Sequence, residues 1–551
     1  MTKNWRYLFA FSSVSLSFLI TTAKQPPKLT VILVIDQLAA YHITKLRPYL
    51  SGGLKFLSEE GLSYLNAFYD HSPPATGPGH TLLATGTYAS FHGIIGNTWF
   101  SKEGKSINCD DALTEDAAVF APDGGLYPYG KSAENTLVDT LSDQLVLHSY
   151  PHARNSVWSL SIKSRAAIAM AGRLGKPLWF DTKSGNFTSS KAYFDKLPDW
   201  VNDFNKQHAI GQKKESIWKP FFENTSNAYA FDAMNNYQYT IFNESILNKP
   251  LEITFGNGDK TFERTPEANQ LLLDLATQCI DTYFTNEENE RLVLWVSMSG
   301  FDVVAHTFGP HSKEIVDTLY HIDNQLKEFI DNIYQRTDKE EVLFVLTADH
   351  GGAPIAEVVA NQGLSLAKRY YFPQIVEHLN KLIAKKYSIE NVVQNFKEPQ
   401  FYLNQDIIGT MDGETRESIC EDIKNYMLSL PGVRNAWTFD ELKSKVFQEY
   451  DLDRYIQRQL FRGRSGDIIY SLNPYTTLFS YEPKGTKGTS HVSPYAYDTH
   501  VPLIFYWKDH FEKKRIAHNV SMSQVACSLA TLFEVPRPSA SAAQVLPKLP
   551  L

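Results

Sequence analysis

Cysteine is scarce in this 551-residue chain. Cys109, Cys279, Cys420 and Cys527 are widely scattered and no two form a CxxC pair, which excludes a zinc–thiolate site. In an exported protein the four thiols allow at most two disulfides, in any of three pairings. An excess of positive charge is also missing. Lys and Arg number 53 against 61 Asp and Glu, a formal net charge of −8, and with no basic stripe a nucleic-acid partner is not expected. There is no internal repeat and no low-complexity tract.

Long apolar runs are rare as well. The one that stands out, Leu8 to Ile20, follows Lys3 and Arg6 and precedes Thr21-Thr22-Ala23. It is shorter than the roughly 20 residues of a membrane span. A basic start, an apolar middle and a small-residue end describe a signal peptide over residues 1–23. No Cys lies near that end to take a lipid. The expectation is an exported protein, periplasmic or secreted, with no stable membrane span after cleavage. Asn186, Asn224, Asn243 and Asn519 head N-x-S/T sequons, which matter only in a eukaryotic source.

What remains is a composition of 43% apolar and 21% charged residues, within the range of soluble globular proteins. Aromatics reach 13%, pointing to aromatic-lined insertions. Leu29 to Ile35 is a β-branched run ending at Asp36, as in a buried parallel strand. Arg291 to Met298 leads to Asp302, Glu341 to Thr347 leads to Asp349-His350, and Val501 to Trp507 follows His491. Between the second and third runs, Lys313 to Tyr334 carries apolar residues at spacings of three and four. Strand, helix and strand with short links predict an α/β fold, a doubly wound and mostly parallel sheet flanked by helices. Residues 24–551 are read as one catalytic domain with cap insertions at about 165–280 and about 365–490. The second insertion holds predicted helices over Tyr371–Lys386 and Asp412–Leu430, and a basic stretch, Arg454 to Arg464, read as a solvated cap face.

The chemistry gathers at the strand ends. Asp302 and His306 are four apart and face the same way on one helical turn. Asp349 and His350 are adjacent before Gly351-Gly352, and His491 lies among small residues. Thr76 sits in a turn of Pro73, Pro74, Gly77, Pro78 and Gly79, just before Thr81 to Tyr88, which can start a helix. A hydroxyl there lies over free N–H groups and the positive end of a helix dipole, a place for phosphate. Imidazoles with carboxylates suit zinc. Two such metals can clamp the attacking and leaving oxygens of a phosphoryl displacement.

Asp36, Thr76-Gly77-Pro78-Gly79-His80, His92-Gly93-Ile94 with Asn97, Asp302-x-x-x-His306, Asp349-His350-Gly351 and His491 together resemble the ordered motif set of the alkaline phosphatase superfamily. The similarity runs from about residue 28 to about 510. It is nearest to the phosphate-irrepressible alkaline phosphatases that use threonine. The resemblance implies two Zn2+ ions, one held by Asp302, His306 and His491 and the other by Asp36, Thr76, Asp349 and His350. It further implies Thr76 as nucleophile, with a phosphothreonine intermediate, and small-molecule phosphate monoesters as substrates. Thr76-Gly-Pro-Gly-His80 lacks the C/S-x-P-x-R of sulfatases. Nucleotide pyrophosphatase/phosphodiesterases share the threonine, the HGI turn and the asparagine, and remain the rival reading. A weaker one is an inactive metal- and phosphate-binding protein. Charge separates the first two, since a monoester dianion has one more negative charge than a diester. Trp158, Leu160 and Ile162 alternate on a strand, and Lys163 and Arg165 are expected to project together from its end, supplied by the cap, to grip phosphate with Asn97 beside them. His80 and His92 are read as organisers of the nucleophile turn. His311, His321 and His500 are read as structural or exposed, and Asp498 as a possible support for a metal-bound histidine.

Overall fold

Seven consecutive buried residues, Leu29–Ile35, form strand β1 at the middle of a nine-stranded sheet. The computed structural model describes residues 25–550 apart from 113, 150–153, 224–226, 230–244, 257–259, 286, 288–289, 450 and 480–487. The leader expected over 1–23 and the sequon residues Asn224 and Asn243 lie outside the described residues. None of the described helices is long and apolar enough to cross a membrane.

In chain order the further strands used below are β2 (Leu62–Phe68), β3 (Arg154–Ser161), β4 (Lys176–Asp181), β5 (Asn186–Thr188), β6 (Glu290–Met298), β7 (Val342–Thr347), β8 (Val393–Lys397), β9 (Gln400–Leu403), β10 (Val433–Thr438), β11 (Ile468–Leu472), β12 (His500–Trp507) and β13 (Lys514–Ser521). The helices are α1 (Gly53–Glu60), α2 (Thr76–Thr85), α3 (Ser164–Ala171), α4 (Pro266–Tyr283), α5 (Gly300–Phe308), α6 (Lys313–Tyr334), α7 (Phe372–Tyr387) and α8 (Gly413–Ser429).

The large sheet runs β5-β4-β3-β6-β1-β7-β12-β2-β13. From β4 to β7 every pairing is parallel, so the fold is α/β with a mostly parallel sheet, as expected. β1, β6 and β7 are apolar almost throughout because helices cover both faces. β12 runs antiparallel to both neighbours. Its first residues, rather than its last, therefore lie at the edge where β1, β6 and β7 end. This brings His491, which precedes β12, to the same edge as Asp36, Asp302 and Asp349, which follow their strands.

Two expectations are corrected here. The stretch 165–280 is not set apart from the core, since it contributes β4 and β5 to the main sheet and α4 to its covering layer. Nor does a cap supply Lys163, which directly follows central strand β3. It is the extended N-cap of α3, and Arg165 lies in that helix's first turn, so a strand-to-helix junction, rather than strand alternation, presents the pair. Residues 365–490 do carry a separate four-stranded sheet, β8-β9-β11-β10, with its own apolar cluster under α7 and α8. The basic stretch there is no solvated face. Arg458 pairs with Asp70 at 2.6 Å, and Arg464 donates to the carbonyls of Gly93 (2.8 Å) and Asn135 (2.7 Å), fastening this layer to the core. All four cysteines are free thiols, three of them buried.

One contact could not be read locally. α1 begins at Gly52 with no side-chain cap of its own. Instead Asp323 of α6 accepts from the backbone N–H groups of Ser51 (2.8 Å), Gly52 (2.6 Å), Leu54 (2.8 Å) and Lys55 (3.1 Å). A carboxylate far along the chain thus satisfies the orphan donors of a helix start.

Candidate active site

The helix expected from Thr81 starts at Thr76 and ends at Thr85, with Pro78 tolerated inside the first turn and Gly86 closing it at φ 66°. Thr76 is thus a first-turn residue, almost fully buried. Gly79 has to be glycine, because a Cβ there would run into the Asp349 backbone carbonyl. The close approach presses the start of α2 onto the end of β7. His80 holds the turn from behind. Its Nδ1 lies 2.9 Å from the Thr76 carbonyl and 3.1 Å from Asp349 Oδ2, and its Nε2 lies 2.9 Å from Ser297 Oγ. His92 accepts from Ile94 N through its Nδ1 at 3.0 Å, bracing the next loop.

Asn97 accepts from Gly77 N at 2.6 Å through Oδ1. That bond leaves its NH2 as the free end, in the wall of a cavity shared with His306 and His491. Lys163 reaches deepest. Its Nζ donates to Asp302 Oδ2 at 2.5 Å, Asp36 Oδ2 at 2.7 Å and Thr76 Oγ1 at 3.3 Å. Burial works against the ammonium, but the Asp302 and Asp36 carboxylates outweigh it and hold its pKa above the ordinary lysine range.

The three histidines share one hydrogen-bond pattern. His306 Nδ1 is 2.9 Å from the Thr489 carbonyl, His350 Nδ1 is 2.9 Å from Gly351 O, and His491 Nδ1 is 2.9 Å from Pro74 O. A carbonyl only accepts, so each Nδ1 carries a proton, and in the neutral ring each Nε2 then presents a lone pair. Those lone pairs face other acceptors. His350 Nε2 is 3.4 Å from both Asp36 Oδ1 and Asp349 Oδ2; the first two of these buried atoms have no hydrogen-bond partner, and Asp349 Oδ2 has only the His80 ring beside it. His306 Nε2 and His491 Nε2 lie 3.1 Å apart, and Asp302 Oδ1 is 3.3 Å from the first and 3.6 Å from the second. Acceptor against acceptor in a buried site is stable only around cations.

The charge balance agrees. Burial, then the Asp302 and Asp349 carboxylates, push the Asp36 carboxyl well up, with Lys163 only partly opposing them. Burial also works against Asp302 and Asp349, but His306 and Lys163 hold the first low, and His350 and His80 the second. Burial lowers His350 and His491, and the neighbouring imidazoles His350 and His306 lower His491 further. A divalent metal requires neutral imidazole and ionised carboxylate ligands, so metal binding would draw the proton from Asp36 and use His350 and His491 in the neutral form that burial favours. Two donor sets satisfy the geometry, Asp302–His350–His491 and Asp36–Asp349–His350. They share His350, with His306 beside the first and Thr76 reached through Lys163. The residues fit metal ions.

Arg165 lies one step back. Burial works to raise the Asp110 carboxyl, but Lys131 and then Arg165 hold it low, and Arg165 Nε is buried without a partner. The structure adds residues the sequence reading passed over. Asp110 binds Lys131 at 2.9 Å and accepts from Ser164 Oγ at 2.5 Å, anchoring the residue between Lys163 and Arg165. Gln37 donates its backbone N–H to Asp349 Oδ1 at 3.1 Å, and its side-chain amide, NH2 inward, lies 2.8 Å from Asp302 Oδ1. Gln37 follows Asp36 at a strand end and was findable by position; Asp110 lies in an unremarkable loop and carries no local signal. Asp498 accepts from Ser493 N (2.9 Å) and Oγ (2.6 Å), ordering the loop after His491 rather than bonding a histidine ring. His311 packs against Tyr41, His321 lies 3.3 Å from Asp317, and His500 bonds the Leu65 carbonyl.

With this geometry in hand, the chain can be compared with known proteins. Residues 30–494 match the family model described as type I phosphodiesterase / nucleotide pyrophosphatase. Alkaline phosphatase PafA of Elizabethkingia meningoseptica is 29% identical over 538 residues, covering 94% of each chain. A protein named calcium-transporting ATPase from Myroides odoratus is 29% identical, covering 95% of each. Alkaline phosphatase PhoV of Synechococcus elongatus is 28% identical, covering 95% of this chain and 93% of its own. The crystal structure of PafA superimposes with a TM-score of 0.82 at 25% identity, covering 96% of this chain and all of that one.

Proposed function

The chain belongs to the type I phosphodiesterase / nucleotide pyrophosphatase family, and from its full-length likeness to alkaline phosphatases we propose that it is an exported alkaline phosphatase cleaving phosphate monoesters through Thr76. The observation that carries the reading is the set of three imidazoles, each held by a carbonyl at Nδ1, whose Nε2 atoms converge with buried carboxylates beside a buried hydroxyl.

Asp302, His306 and His491 would hold one zinc ion and Asp36, Thr76, Asp349 and His350 the other; such a pair lowers the pKa of the attacking hydroxyl and takes charge from the leaving oxygen. Thr76 Oγ1 attacks phosphorus in line. The Thr76 Oγ1–P bond forms as the bond to the leaving alcohol breaks, giving a phosphothreonine that water hydrolyses in the second half. Lys163 donates to Thr76 Oγ1 and is placed to follow the hydroxyl's negative charge onto the equatorial oxygens. The free NH2 of Asn97 donates to the same oxygens, and Arg165 adds the second cation that a monoester dianion favours. Asp110 positions the segment carrying both cations.

A second reading, phosphodiester hydrolysis at the same site, is favoured by the family description itself. One experiment separates them: kcat/KM for an aryl phosphate monoester and for its methyl diester, in defined zinc and after chelation. The monoester is expected to be much the better substrate, with turnover lost to chelator. A preference for the diester overturns the assignment. Absence of chelator-sensitive turnover on either substrate overturns catalysis altogether.

A further inference from the structure

The cavity of about 250 Å³ that opens outward from His306, His491 and Asn97 has its far wall in the smaller sheet. There the hairpin of β8 and β9 turns at Glu398-Pro399, carrying Lys397 and Glu398 into the lining. Lys397 is half-buried, yet among the described residues it has no hydrogen bond and no ion pair. Two other half-buried lysines are paired, Lys131 with Asp110 and Asp111, and Lys28 with Glu341. An ammonium in a cavity wall with no carboxylate bound to it is open to an anionic partner. The other charges on this wall are already engaged. Glu398 has contacts of its own. Arg369, stacked on the cavity residue Phe479, is bound to both carboxylate oxygens of Glu357 at 2.6 and 2.9 Å.

We propose that Lys397 is a specificity-determining residue that binds a second anionic group on the leaving alcohol, so that the favoured substrates are monoesters whose alcohol carries a carboxylate or a further phosphate. This rests on the phosphomonoesterase reading above. In-line displacement expels the alcohol away from Thr76. The cavity is bordered by His306 and His491 rather than by Asp36, Asp349 and His350, so it lies on the side the alcohol departs from. Its inner end takes the ester oxygen, and its outer end offers one unpaired cation.

The test compares 4-carboxyphenyl phosphate with 4-carbamoylphenyl phosphate, which is alike in size but neutral in its leaving group, on the zinc-loaded full chain. The quantity read is the ratio of their kcat/KM values in wild type, Lys397→Met and Lys397→Arg. Leaving-group acidity contributes equally to all three proteins and cancels. Lys397→Met should lower the carboxylate-to-amide ratio about 2- to 5-fold, the worth of one partly solvated ion pair. It should leave the amide substrate essentially unchanged, and Lys397→Arg should restore the ratio. Added salt should lower the wild-type ratio and leave that of Lys397→Met flat. An unchanged ratio, or equal loss on both substrates, overturns the assignment of Lys397 while leaving the monoesterase reading intact. If wild type turns over neither monoester but hydrolyses methyl diesters, the underlying reading fails and this proposal with it.

Discussion

Replacing Lys163 by alanine tests the charge balance at the heart of the site. Its Nζ lies 3.3 Å from Thr76 Oγ1, so a phosphoryl group arriving on that oxygen brings its charge to within roughly 4 Å of the ammonium. Two unit charges at that distance attract by about 4 kcal/mol at an effective dielectric constant near 20. A dianionic monoester differs from its methyl diester by one such charge. Asp36 and Asp302 at 2.7 and 2.5 Å already share the ammonium, which reduces the differential to about 2–3 kcal/mol, or roughly 30- to 150-fold in rate. Lys163→Ala should therefore lower kcat/KM for an aryl monoester by that factor more than for the methyl diester. Adding Arg165→Ala should widen the gap. The assay is steady-state kinetics on both substrates, with zinc content measured on the same samples because Lys163 also neutralises two proposed ligands. Equal losses on both substrates at full zinc occupancy would refute the reasoning and leave Lys163 a purely structural counter-ion.

Three further outcomes follow from the same coordinates. Chelation should abolish turnover and lower the thermal midpoint, since Asp36, Asp302 and Asp349 are buried together; zinc at a thousand times its Kd should return about 4 kcal/mol of stability, and an unchanged midpoint would argue against buried metal sites. Asp323→Ala strips four backbone N–H groups of α1 of their acceptor and should cost about 2–4 kcal/mol in urea unfolding, whereas a loss within 0.5 kcal/mol, on the order of an ordinary surface change, would show that water replaces the carboxylate. Burial raises the Asp498 carboxyl from 3.8 to about 8, so the folded state holds a proton that the unfolded state releases. This contribution is complete below about pH 4 and is lost as pH rises through about 8. Asp498→Asn should flatten that fall, read as thermal midpoints at pH 5 and pH 9, and an identical slope in both proteins would refute it.

Much of the fold could be read along the chain, because the signals are local. β1, β6 and β7 are largely apolar runs followed within four residues by an aspartate, and buried parallel strands demand such runs on both faces. Helix α6 occupies Lys313–Tyr334, as its apolar spacing predicted. Asp302 and His306 share a face of α5 because i and i+4 always do. The glycine- and proline-rich turn announced the placement of Thr76, though the start of its helix was set by packing of Gly79 against Asp349.

Only tertiary structure decided the rest. The antiparallel course of β12 brings His491 to the edge shared by Asp36, Asp302 and Asp349, and a strand's direction is a property of its neighbours, not of its residues. Residues 165–280 look polar and irregular in sequence, yet supply β4 and β5 of the main sheet, with β5 at its edge, where composition is less constrained than at the centre. The proton positions on His306, His350 and His491 depend on the carbonyls of Thr489, Gly351 and Pro74, and two of those partners are more than 180 residues away along the chain. Residue types and their order along the chain named the chemical groups. Their protonation, their charge balance and the cation left unpaired at Lys397 came from contacts between distant segments, which no local pattern encodes.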